Sequence, residues 1–367
     1  MSITALSFLL FCVVISIQCL YYLYFFTGVF QKLKQNKKDT SPVSIVMCAR
    51  NNRAGLEANL PRILSQKYPD FEVIVVNDGS TDGTLDFLDN LAKEEDKLRV
   101  LHLDIDERFH RGKKFAQTIG IKAAKFNKLL FTDTDCYPDS EYWIENMTAD
   151  LHDDIEIVLG VSNYERRARP LNWLIQLETF HSAMLYINFA LKKRAYMGVG
   201  RNLAYSRELF FKVKGFASHQ HILSGDDDLF VNETATETNV AISLQKEGRT
   251  YSIPATHFGQ WFRQKKRHFS TGRVYKRGDK FRLGMYFLSL LLTYVILVPL
   301  LLNPQWIFVA LAIFGVRFLI QMIVLYKNMS ILDYKTYFFL FPLMDLGIIF
   351  VQVFVGIRGY FSKPQAW

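Results

Sequence analysis

Long apolar runs lie at both ends of this chain and enclose a middle of mixed composition. The first run, residues 1–30, contains no charged residue, and about 20 apolar residues in a row are enough to cross a bilayer. A secretory signal peptide begins with basic residues and has a shorter apolar core, and this run has neither feature. We therefore expect an uncleaved N-terminal transmembrane helix over residues 1–30.

Three further apolar runs lie near the C-terminus. Residues 283–302 and 306–326 are each long enough to span a bilayer, and a short Asn-Pro-Gln connection separates them. The third run, residues 337–357, includes Asp345, so it either spans the bilayer, re-enters it or lies at its interface. We expect the C-terminal membrane region, residues 282–367, to hold two to three helices.

Basic residues cluster on the inner flanks of these runs. They occur in a basic linker, residues 31–41, and in a basic amphipathic segment, residues 256–281. Because Lys and Arg accumulate on the cytoplasmic side, we expect a multi-pass protein of a bacterial inner or plasma membrane with a cytoplasmic catalytic domain. The net charge of +9 then reflects topology and contact with membrane lipids, and no nucleic acid partner is expected.

Two segments are amphipathic enough to lie at the membrane surface. The basic segment 256–281 contains Trp261 and Phe262, which we expect to act as interfacial anchors. The other segment, Pro170–Lys193, has a strong apolar face. It is either a second interfacial helix or a core helix, and the sequence leaves both readings open.

The middle of the chain, residues 42–255, alternates between strands and helices. Apolar strands are predicted at VSIVMCA, FEVIVV, LRVLHLD and KLLFTDTD, with helices at residues 56–65, 84–93 and 113–124. This alternation is typical of an α/β domain with a mainly parallel, doubly wound sheet. Ligands of such sheets bind beyond the carboxyl ends of the strands, and Asp78, Asp133 and Asp135 fall there.

Asp133 and Asp135 follow the fourth predicted strand and are separated by one residue. In an extended segment, residues i and i+2 point to the same side, so the two carboxylates would face one point and repel each other. A divalent cation relieves this repulsion, and oxygen ligands suit Mg²⁺ or Mn²⁺. The alternative is an acidic loop whose side chains cap a helix.

Five motifs occur in the order found in membrane-bound family 2 inverting glycosyltransferases, the group of the cellulose, hyaluronan and poly-N-acetylglucosamine synthases. The motifs are VSIVMCARNN, VIVVNDGSTDGT, LLFTDTD, GDDDL and QKKRH. The chain resembles that family from roughly Ser41 to Phe269. The resemblance implies a GT-A fold, which is a Rossmann-like nucleotide-diphospho-sugar transferase domain, flanked by transmembrane helices. It also implies a nucleoside diphosphate sugar donor, usually a UDP-sugar.

The resemblance implies roles for residues around the donor. Asp135 would bind the Mg²⁺ or Mn²⁺ ion together with Asp133, and Asp133 would also contact the ribose side of the donor. Further residues expected at the donor are Ala49, Arg50, Asp78, Lys113 and Lys114. The alternative for Asp78 is a structural turn, and the alternative for the two lysines is a solvated helix start.

The GDDDL motif would supply the general base that takes the acceptor hydroxyl's proton. Alignment on Gly225 makes Asp227 the base, whereas alignment on Leu229 leaves Asp226 as the base. Crowded like charges raise the pKa of a carboxyl group, which suits a base. The alternative is that the three acids only favour the dipole of the helix that follows.

The segment GVGRNLAYSRELFFKVKGF resembles the family's acceptor-side segment. Glycine there lets an acceptor approach the backbone closely, so Gly198, Gly200 and Asn202 are expected at the acceptor. The alternative is a plain loop before a helix at residues 207–213.

The last motif departs from the family pattern at one position. Gln264 and Arg267 are three residues apart and share a helix face, so both are expected to reach the donor. His268 stands where the family has a tryptophan at the acceptor site. A histidine offers less stacking area, so the departure puts processive polymerisation in doubt and favours transfer of one or a few sugars.

The sequence therefore predicts an integral-membrane, inverting glycosyltransferase of cell-envelope or exopolysaccharide synthesis. Its acceptor would be a glycan or a lipid-linked molecule, and an oligomer or a partner could complete a translocation channel. The alternatives are a polyprenyl-phosphate glycosyltransferase and a catalytically inactive membrane scaffold.

Overall fold

The computed structural model describes residues 2–31, 39–103, 112–222 and 224–360. Most of the predicted basic linker lies outside this part of the chain. The first element is helix α1 (Ile3–Leu23), which is followed by a 3₁₀ turn over Phe25–Phe30.

The middle of the chain begins with the predicted alternation. Its first elements are β1 (Val43–Ala49), α2 (Arg53–Leu64), β2 (Phe71–Asp78), α3 (Thr84–Glu94), β3 (Leu98–Leu103), α4 (Gly112–Ala123) and β4 (Lys128–Phe131). Strands β1 and β2 are buried at every residue, as expected when helices cover both faces of a parallel sheet. The order of the first three predicted strands and their helices is confirmed.

The remaining elements complete the predicted catalytic region, residues 42–255, and continue into the predicted membrane region, residues 282–367. They are β5 (Cys136–Pro138), α5 (Trp143–Thr148), β6 (Ile157–Leu159), β7 (Ser162–Tyr164), α6 (Pro170–Leu191), β8 (Leu203–Ser206), α7 (Arg207–Lys212), α8 (Asp228–Thr234), β9 (Val240–Ile242), β10 (Thr250–Ser252), α9 (Phe258–Thr271), α10 (Arg277–Leu301), α11 (Ile307–Ile331) and α12 (Phe341–Tyr360).

Seven of the described strands form one sheet in the order β3-β2-β1-β4-β8-β6-β9. The pairs β1–β2, β1–β4, β2–β3 and β6–β9 are parallel, and β8 runs antiparallel to β4 and β6. The prediction of a mainly parallel sheet is therefore confirmed. The strand order reverses between β1 and β4, which is where open α/β sheets bind ligands.

The fourth strand is shorter than predicted. Phe131 pairs with Val46 of β1 and with Leu203 of β8, and the strand ends there. Asp133 and Asp135 lie in the turn that follows, which the Cys136 N–H closes by donating to the Asp133 carbonyl at 3.1 Å. The prediction that the two aspartates share one side of an extended strand was wrong, because the backbone has left the ladder before it reaches them.

A second sheet of three described strands, in the order β5-β10-β7, stands beside this turn. Strand β5 begins at Cys136, directly after the acidic turn, and pairs with Ser252 of β10. Strand β7 pairs with β10 from the other side and contributes Tyr164. The small sheet thus brings two polar side chains close to the carboxylates.

Helix α6 is a core helix, so the interfacial reading of Pro170–Lys193 was wrong. Its buried residues occur on every side of the helix and include Gln176, His181 and Asn188. Asn188 accepts a hydrogen bond from the Val29 N–H at 3.1 Å, in the 3₁₀ turn after α1. The apolar length that suggested a surface helix is buried between the catalytic region and the membrane region.

The described chain has four helical segments long and apolar enough to cross a membrane, namely Ile3–Phe30, Arg277–Leu301, Ile307–Ile331 and Lys335–Gly356. The last of them contains Asp345, whose Oδ2 lies 2.7 Å from Nη1 of the fully buried Arg317 on α11. Gln18 of α1 and Gln321 of α11 also accept hydrogen bonds from Arg317. A charged residue in an apolar helix needs such a partner.

Helix α9 lies against α12, which contradicts the predicted role of Trp261 as an interfacial anchor. Trp261 is 1% exposed and belongs to a cluster with Val351 and Val355 of α12. The Phe262 ring packs at a tilt against the Phe354 ring, with centroids 5.4 Å apart. The apolar face of α9 is therefore covered by another helix of the same chain.

The connection between α11 and α12 is bound to the small sheet. Tyr334 Oη donates to Asn163 Oδ1 at 2.9 Å, beside Tyr164 on β7. Arg249 donates to the carbonyl of Ile331 at 2.7 Å, and Asp333 accepts from Tyr251 Oη at 3.1 Å. These contacts attach the membrane region to the edge of the catalytic region.

Candidate active site

The two aspartates of the acidic turn converge although the strand ends before them. One ligand atom from each of Asp133, Asp135 and Cys136 lies within 4.8 Å of the others. Burial, followed by the charge of Asp133, raises the pKa of Asp135, and the nearby guanidinium of Arg201 opposes that rise. Two carboxylates that disfavour each other's charge form a donor set that fits a hard divalent cation.

Lys113, at the start of α4, connects this turn to the GDDDL loop. Its Nζ lies 2.9 Å from Asp133 Oδ1 and 2.8 Å from Asp226 Oδ2. Burial lowers the pKa of Lys113, but the carboxylates of Asp133 and Asp226 outweigh burial and hold it well above its usual value. The ammonium group is therefore charged and draws the two acidic segments together.

The three acids of the GDDDL loop have three different surroundings. Asp226 is paired with Lys113. Asp228 accepts hydrogen bonds from Thr271 Oγ1 and, at 2.8 Å, from Tyr275 Oη, so it holds the end of α9. Asp227 accepts from two backbone groups, the Gly200 N–H at 2.7 Å and the Asp228 N–H at 2.7 Å, and all three acids line the cavity.

Asp227 is therefore the carboxylate with the properties of a base. Burial, followed by the charges of Asp226 and Asp228, raises its pKa to about 7, although Lys113 and the Gly200 N–H act in the opposite direction. A base works best when its pKa lies near the working pH. The surroundings of the loop thus favour Asp227 over Asp226, the choice that the sequence left open.

A cavity of about 280 Å³ joins these groups to the membrane region. Its acidic end is lined by Lys113, Asp133 and Asp227, and its far end by Phe287 of α10 and Gln352 of α12. The cavity is wide enough for a sugar-sized group, and it leads from the edge of the sheet towards the apolar helices.

Helix α9 supplies one wall of the cavity. Gln264, Arg267 and His268 all line it, and the expected contacts of Gln264 and Arg267 with the donor and of His268 with the acceptor stay predictions. Gln264 donates to Tyr164 Oη at 3.1 Å. Lys265, the residue after it, forms an ion pair with Glu178 of α6, which fixes the helix against the core.

A comparison with known proteins assigns the domain. Residues 44–213 match the family model described as glycosyl transferase family 2. This chain contains a family 2 glycosyltransferase domain. The matched segment begins within β1 and includes Lys113 and both aspartates of the acidic turn.

Curated relatives of this glycosyltransferase domain include poly-beta-1,6-N-acetyl-D-glucosamine synthases. The protein of that name from Staphylococcus aureus (strain COL) is 29% identical over 118 residues, which are 31% of this chain and 27% of the relative. One from Staphylococcus epidermidis is 28% identical over 133 residues, 35% of this chain and 31% of the relative. Each alignment thus spans less than a third of the relative's length.

A solved structure with the same architecture is a mannosyltransferase from Pyrobaculum calidifontis, in complex with GDP-Man and Mn²⁺. It superposes with a TM-score of 0.59 and 17% sequence identity, covering 94% of this chain and 99% of that one. At this identity the likeness concerns the fold, and the fold of the glycosyltransferase domain is GT-A.

The structure places the remaining donor residues at the same sheet edge. Ala49 and Asp78 end the adjacent strands β1 and β2. The Arg50 guanidinium lies 3.6 Å from the Asp78 carboxylate. These three residues are thus together on the side of the glycosyltransferase domain where a nucleotide is expected.

Lys114 differs from the sequence prediction. It is 3% exposed, and its Nζ donates to the carbonyls of His219 and Ile222 at 2.7 and 3.0 Å and contacts His219 Nδ1 at 2.8 Å. Burial lowers its pKa to about 8. Lys114 points away from Lys113 because consecutive helical residues face different directions, and it orders the chain before the GDDDL loop rather than the donor.

Two of the three predicted acceptor residues are also structural. Asn202 is fully buried, donates to the carbonyls of Val161 and Gly248, and accepts from the Trp143 ring N–H. A Cβ on Gly198 would meet Leu159, Leu203 and Val231, all at 3.1–3.2 Å. Both residues therefore serve the core, and Gly200 is the member of the segment that reaches the site.

Arg201 was missed because it lies between two residues that the resemblance emphasised. Its guanidinium lines the cavity and lies 4.4 Å from the centre of the Tyr164 ring. A single arginine in a loop carries no spacing signal. Only the fold brings β8 and β7 to the acidic turn.

Proposed function

We propose that this protein transfers a sugar from a nucleoside diphosphate sugar to an acceptor hydroxyl, with inversion at the anomeric carbon. The observation that carries the proposal is the placement of Asp227. It lines the cavity and has a pKa of about 7, and Lys113 and Asp133 line the same cavity. A base and a leaving-group site that share one cavity are what this displacement needs.

The residues divide the reaction between them. The acceptor oxygen attacks the anomeric carbon, and its proton passes to Asp227, which the Gly200 N–H holds in place. The bond from the anomeric carbon to the β-phosphate oxygen breaks, and the nucleoside diphosphate leaves with that electron pair. Lys113 lies beside Asp133, so its ammonium group can stabilise the negative charge that develops on the leaving diphosphate.

The site fits a divalent cation held by Asp133 and Asp135. When bound, Mg²⁺ or Mn²⁺ supplies charge stabilisation to the diphosphate. Support comes from the 4.8 Å cluster of ligand atoms and from Mn²⁺ in the Pyrobaculum calidifontis structure. Cys136 is fully buried and its thiol contacts Ser252 Oγ at 2.8 Å, so we assign the ion to the two carboxylates.

We infer a UDP-sugar as the donor, and a glycan or a lipid-linked molecule as the acceptor, within polysaccharide synthesis at the cell envelope. The donor inference rests on the curated relatives, which are named as N-acetylglucosamine polymer synthases. The acceptor inference rests on the cavity, which ends at α10 and α12. We further infer that these apolar helices span the membrane and place the catalytic domain on the cytoplasmic side.

Transfer of one or a few sugars is favoured over long processive extension by His268. This side chain occupies the cavity wall and offers less area for stacking against a sugar than an indole ring. A catalytically inactive scaffold is disfavoured, because Asp227, Lys113, Arg267 and Asp133 of the acidic turn all line one cavity.

The test is turnover of nucleoside diphosphate sugars by membranes that contain Asp227→Asn. We expect the wild type to release the nucleoside diphosphate from a UDP-sugar with Mn²⁺ or Mg²⁺, and to stop when EDTA is added. Asp227→Asn should lower turnover by about 10²–10⁴-fold while it still binds the donor. Asp70→Asn, on the exposed surface, is the matched control and should be fully active. Unchanged turnover by Asp227→Asn rejects the base.

A panel of UDP- and GDP-sugars decides the nucleotide. Product size, measured by gel electrophoresis or mass spectrometry, decides between one transfer and many. Turnover with GDP-sugars alone would reject the uridine assignment, and a long polymer would reject the inference drawn from His268.

A further inference from the structure

Arg201 has its backbone locked between the two chemical halves of the site. The preceding residue, Gly200, donates to the base Asp227. The carbonyl of Arg201 accepts from Thr132 Oγ1 at 3.0 Å, just before the acidic turn, and from Thr250 Oγ1 at 3.1 Å. The position of Arg201 is therefore set by the GDDDL loop on one side and by the residue before the acidic turn on the other.

The side chain of Arg201 is held with its charge directed at the cavity. The guanidinium lies over the Tyr164 ring at 4.4 Å from the centroid, and its Nη1 donates to Ser252 Oγ at 3.0 Å. Stacking and one hydrogen bond fix the plane of the group but use only part of its five N–H donors. The group remains part of the cavity lining.

Two lysines of the cavity are paired with carboxylates of the protein. Lys113 lies within 3 Å of both Asp133 and Asp226, and Lys265 is paired with Glu178. Among the described residues, no carboxylate lies within 4 Å of the Arg201 guanidinium, which contacts the Tyr164 ring and Ser252 Oγ. A poorly hydrated cation without a protein anion is available to an anionic ligand.

We propose that Arg201 binds the diphosphate of the donor and stabilises it as it leaves. This inference rests on the proposed function. Arg201 lines the same cavity as Asp133, and its carbonyl is hydrogen-bonded to Thr132, the residue before the acidic turn, which is where the cation-bound diphosphate would sit. A planar fork of donors matches two phosphate oxygens, which an ammonium group cannot do.

The geometry also gives Arg201 a role distinct from that of Lys113. Lys113 is already shared between two carboxylates, and it must exchange one of them to meet a phosphate. Arg201 requires no such exchange, because Tyr164 and Ser252 hold it without neutralising it. When the bond to the anomeric carbon breaks, its electron pair goes to a β-phosphate oxygen, and Arg201 is positioned to contact that oxygen.

The test compares nucleotides that differ by one phosphate. UDP and UMP, and in parallel GDP and GMP, are titrated with Mn²⁺ into detergent-purified wild type, Arg201→Lys and Arg201→Gln by calorimetry. We expect Arg201→Gln to weaken the binding of UDP and GDP by about 10-fold or more and to leave the binding of UMP and GMP unchanged. We expect the diphosphate affinity of Arg201→Lys to lie between those of wild type and Arg201→Gln, since lysine keeps the charge but loses the planar pair of N–H donors.

Turnover supplies the second measurement. Removing a donor that stabilises a developing charge lowers kcat by about 10²–10³-fold, so Arg201→Gln should lower kcat more than it raises the KM for the acceptor. Arg207→Lys is the matched control, because Arg207 also stacks on an aromatic ring, Phe211 at 4.9 Å, but lies outside the cavity. Thermal unfolding and gel filtration show whether each variant is folded.

Different results overturn the two proposals. If wild type turns over a donor and Arg201→Gln binds both nucleotides like wild type, the role of Arg201 is wrong and the proposed function stands. An effect on the acceptor KM alone would place Arg201 at the acceptor and also overturn its role. If wild type binds a diphosphate in an Arg201-dependent way but transfers no sugar, the proposed function fails and the phosphate site stands. Wild type that binds no nucleotide overturns both.

Discussion

The pH dependence of turnover follows from the surroundings of Asp227. Its pKa of about 7 lies well above the ordinary value of 3.8, because the group is buried beside Asp226 and Asp228. A base acts only when it is ionised. The raised pKa therefore means that activity is low at acidic pH and increases as the pH rises through about 7.

The size of the effect can be worked out from that value. A carboxyl group with a pKa of about 7 is about one-tenth ionised at pH 6, half at pH 7 and nine-tenths at pH 8. The kcat/KM for the donor reports groups of the free enzyme, so it should increase about tenfold from pH 6 to pH 8. A base with an ordinary carboxyl pKa would be fully ionised at both values and would give a flat profile.

The assay is initial-rate release of the nucleoside diphosphate in buffers of constant ionic strength between pH 5.5 and 8.5, with saturating Mn²⁺. Asp228→Asn removes one of the neighbouring charges that raise the pKa of Asp227, so its profile should move to lower pH. Wild type that is folded, active and equally fast at pH 6 and pH 8 would refute this account of the base.

Three further predictions concern two glycines near the site and one buried ion pair. Gly200→Ala places a Cβ 3.2 Å from the Asp227 carboxylate and should lower kcat about 3- to 10-fold by displacing the base. Gly198→Ala crowds core side chains instead, so it should cost about 1–3 kcal/mol of stability and leave the kcat of the folded enzyme unchanged. A loss of kcat in Gly198→Ala and a loss of stability alone in Gly200→Ala would contradict the roles given to these two glycines. Asp345→Asn leaves Arg317 buried without its counter-charge and should lower the stability in detergent by about 3–5 kcal/mol. Thermal unfolding checks this, and Arg317→Met in the same chain should recover much of the loss.

Local pattern was enough to predict the parallel half of the large sheet, strands β1 to β4 with their helices, but not β8, β6 and β9 or the small sheet. Strand β1 was predicted at its observed bounds, because a buried parallel strand is a continuous apolar run and its signal does not depend on distant residues. The base loop and the acidic turn were also found, since each is a short acidic motif at a strand or helix end. Their convergence through Lys113 follows from the switch in strand order beside β1.

Long-range contacts decided what the sequence could not show. Helix α6 and Trp261 are apolar in the same way as membrane-surface segments, and only their neighbours reveal that protein covers them. Lys113 and Lys114 are adjacent and chemically alike, yet they point in different directions from the helix. Lys113 therefore contacts carboxylates, whereas Lys114 contacts backbone carbonyls. Arg201 became visible only once Tyr164 and Ser252 were placed beside it.

The attachment of the α11–α12 connection has a practical consequence for the isolated catalytic domain. A fragment ending near residue 255 would lose Tyr334, which binds Asn163, and Ile331, which binds Arg249. Asn163 and Arg249 lie at the edge of the small sheet that carries Tyr164. A truncated chain would therefore hold the Tyr164 ring, on which the Arg201 guanidinium stacks, less firmly. The enzyme should thus be studied with its apolar C-terminal helices present, and the detergent or lipid that solvates them becomes a variable that kinetics must control.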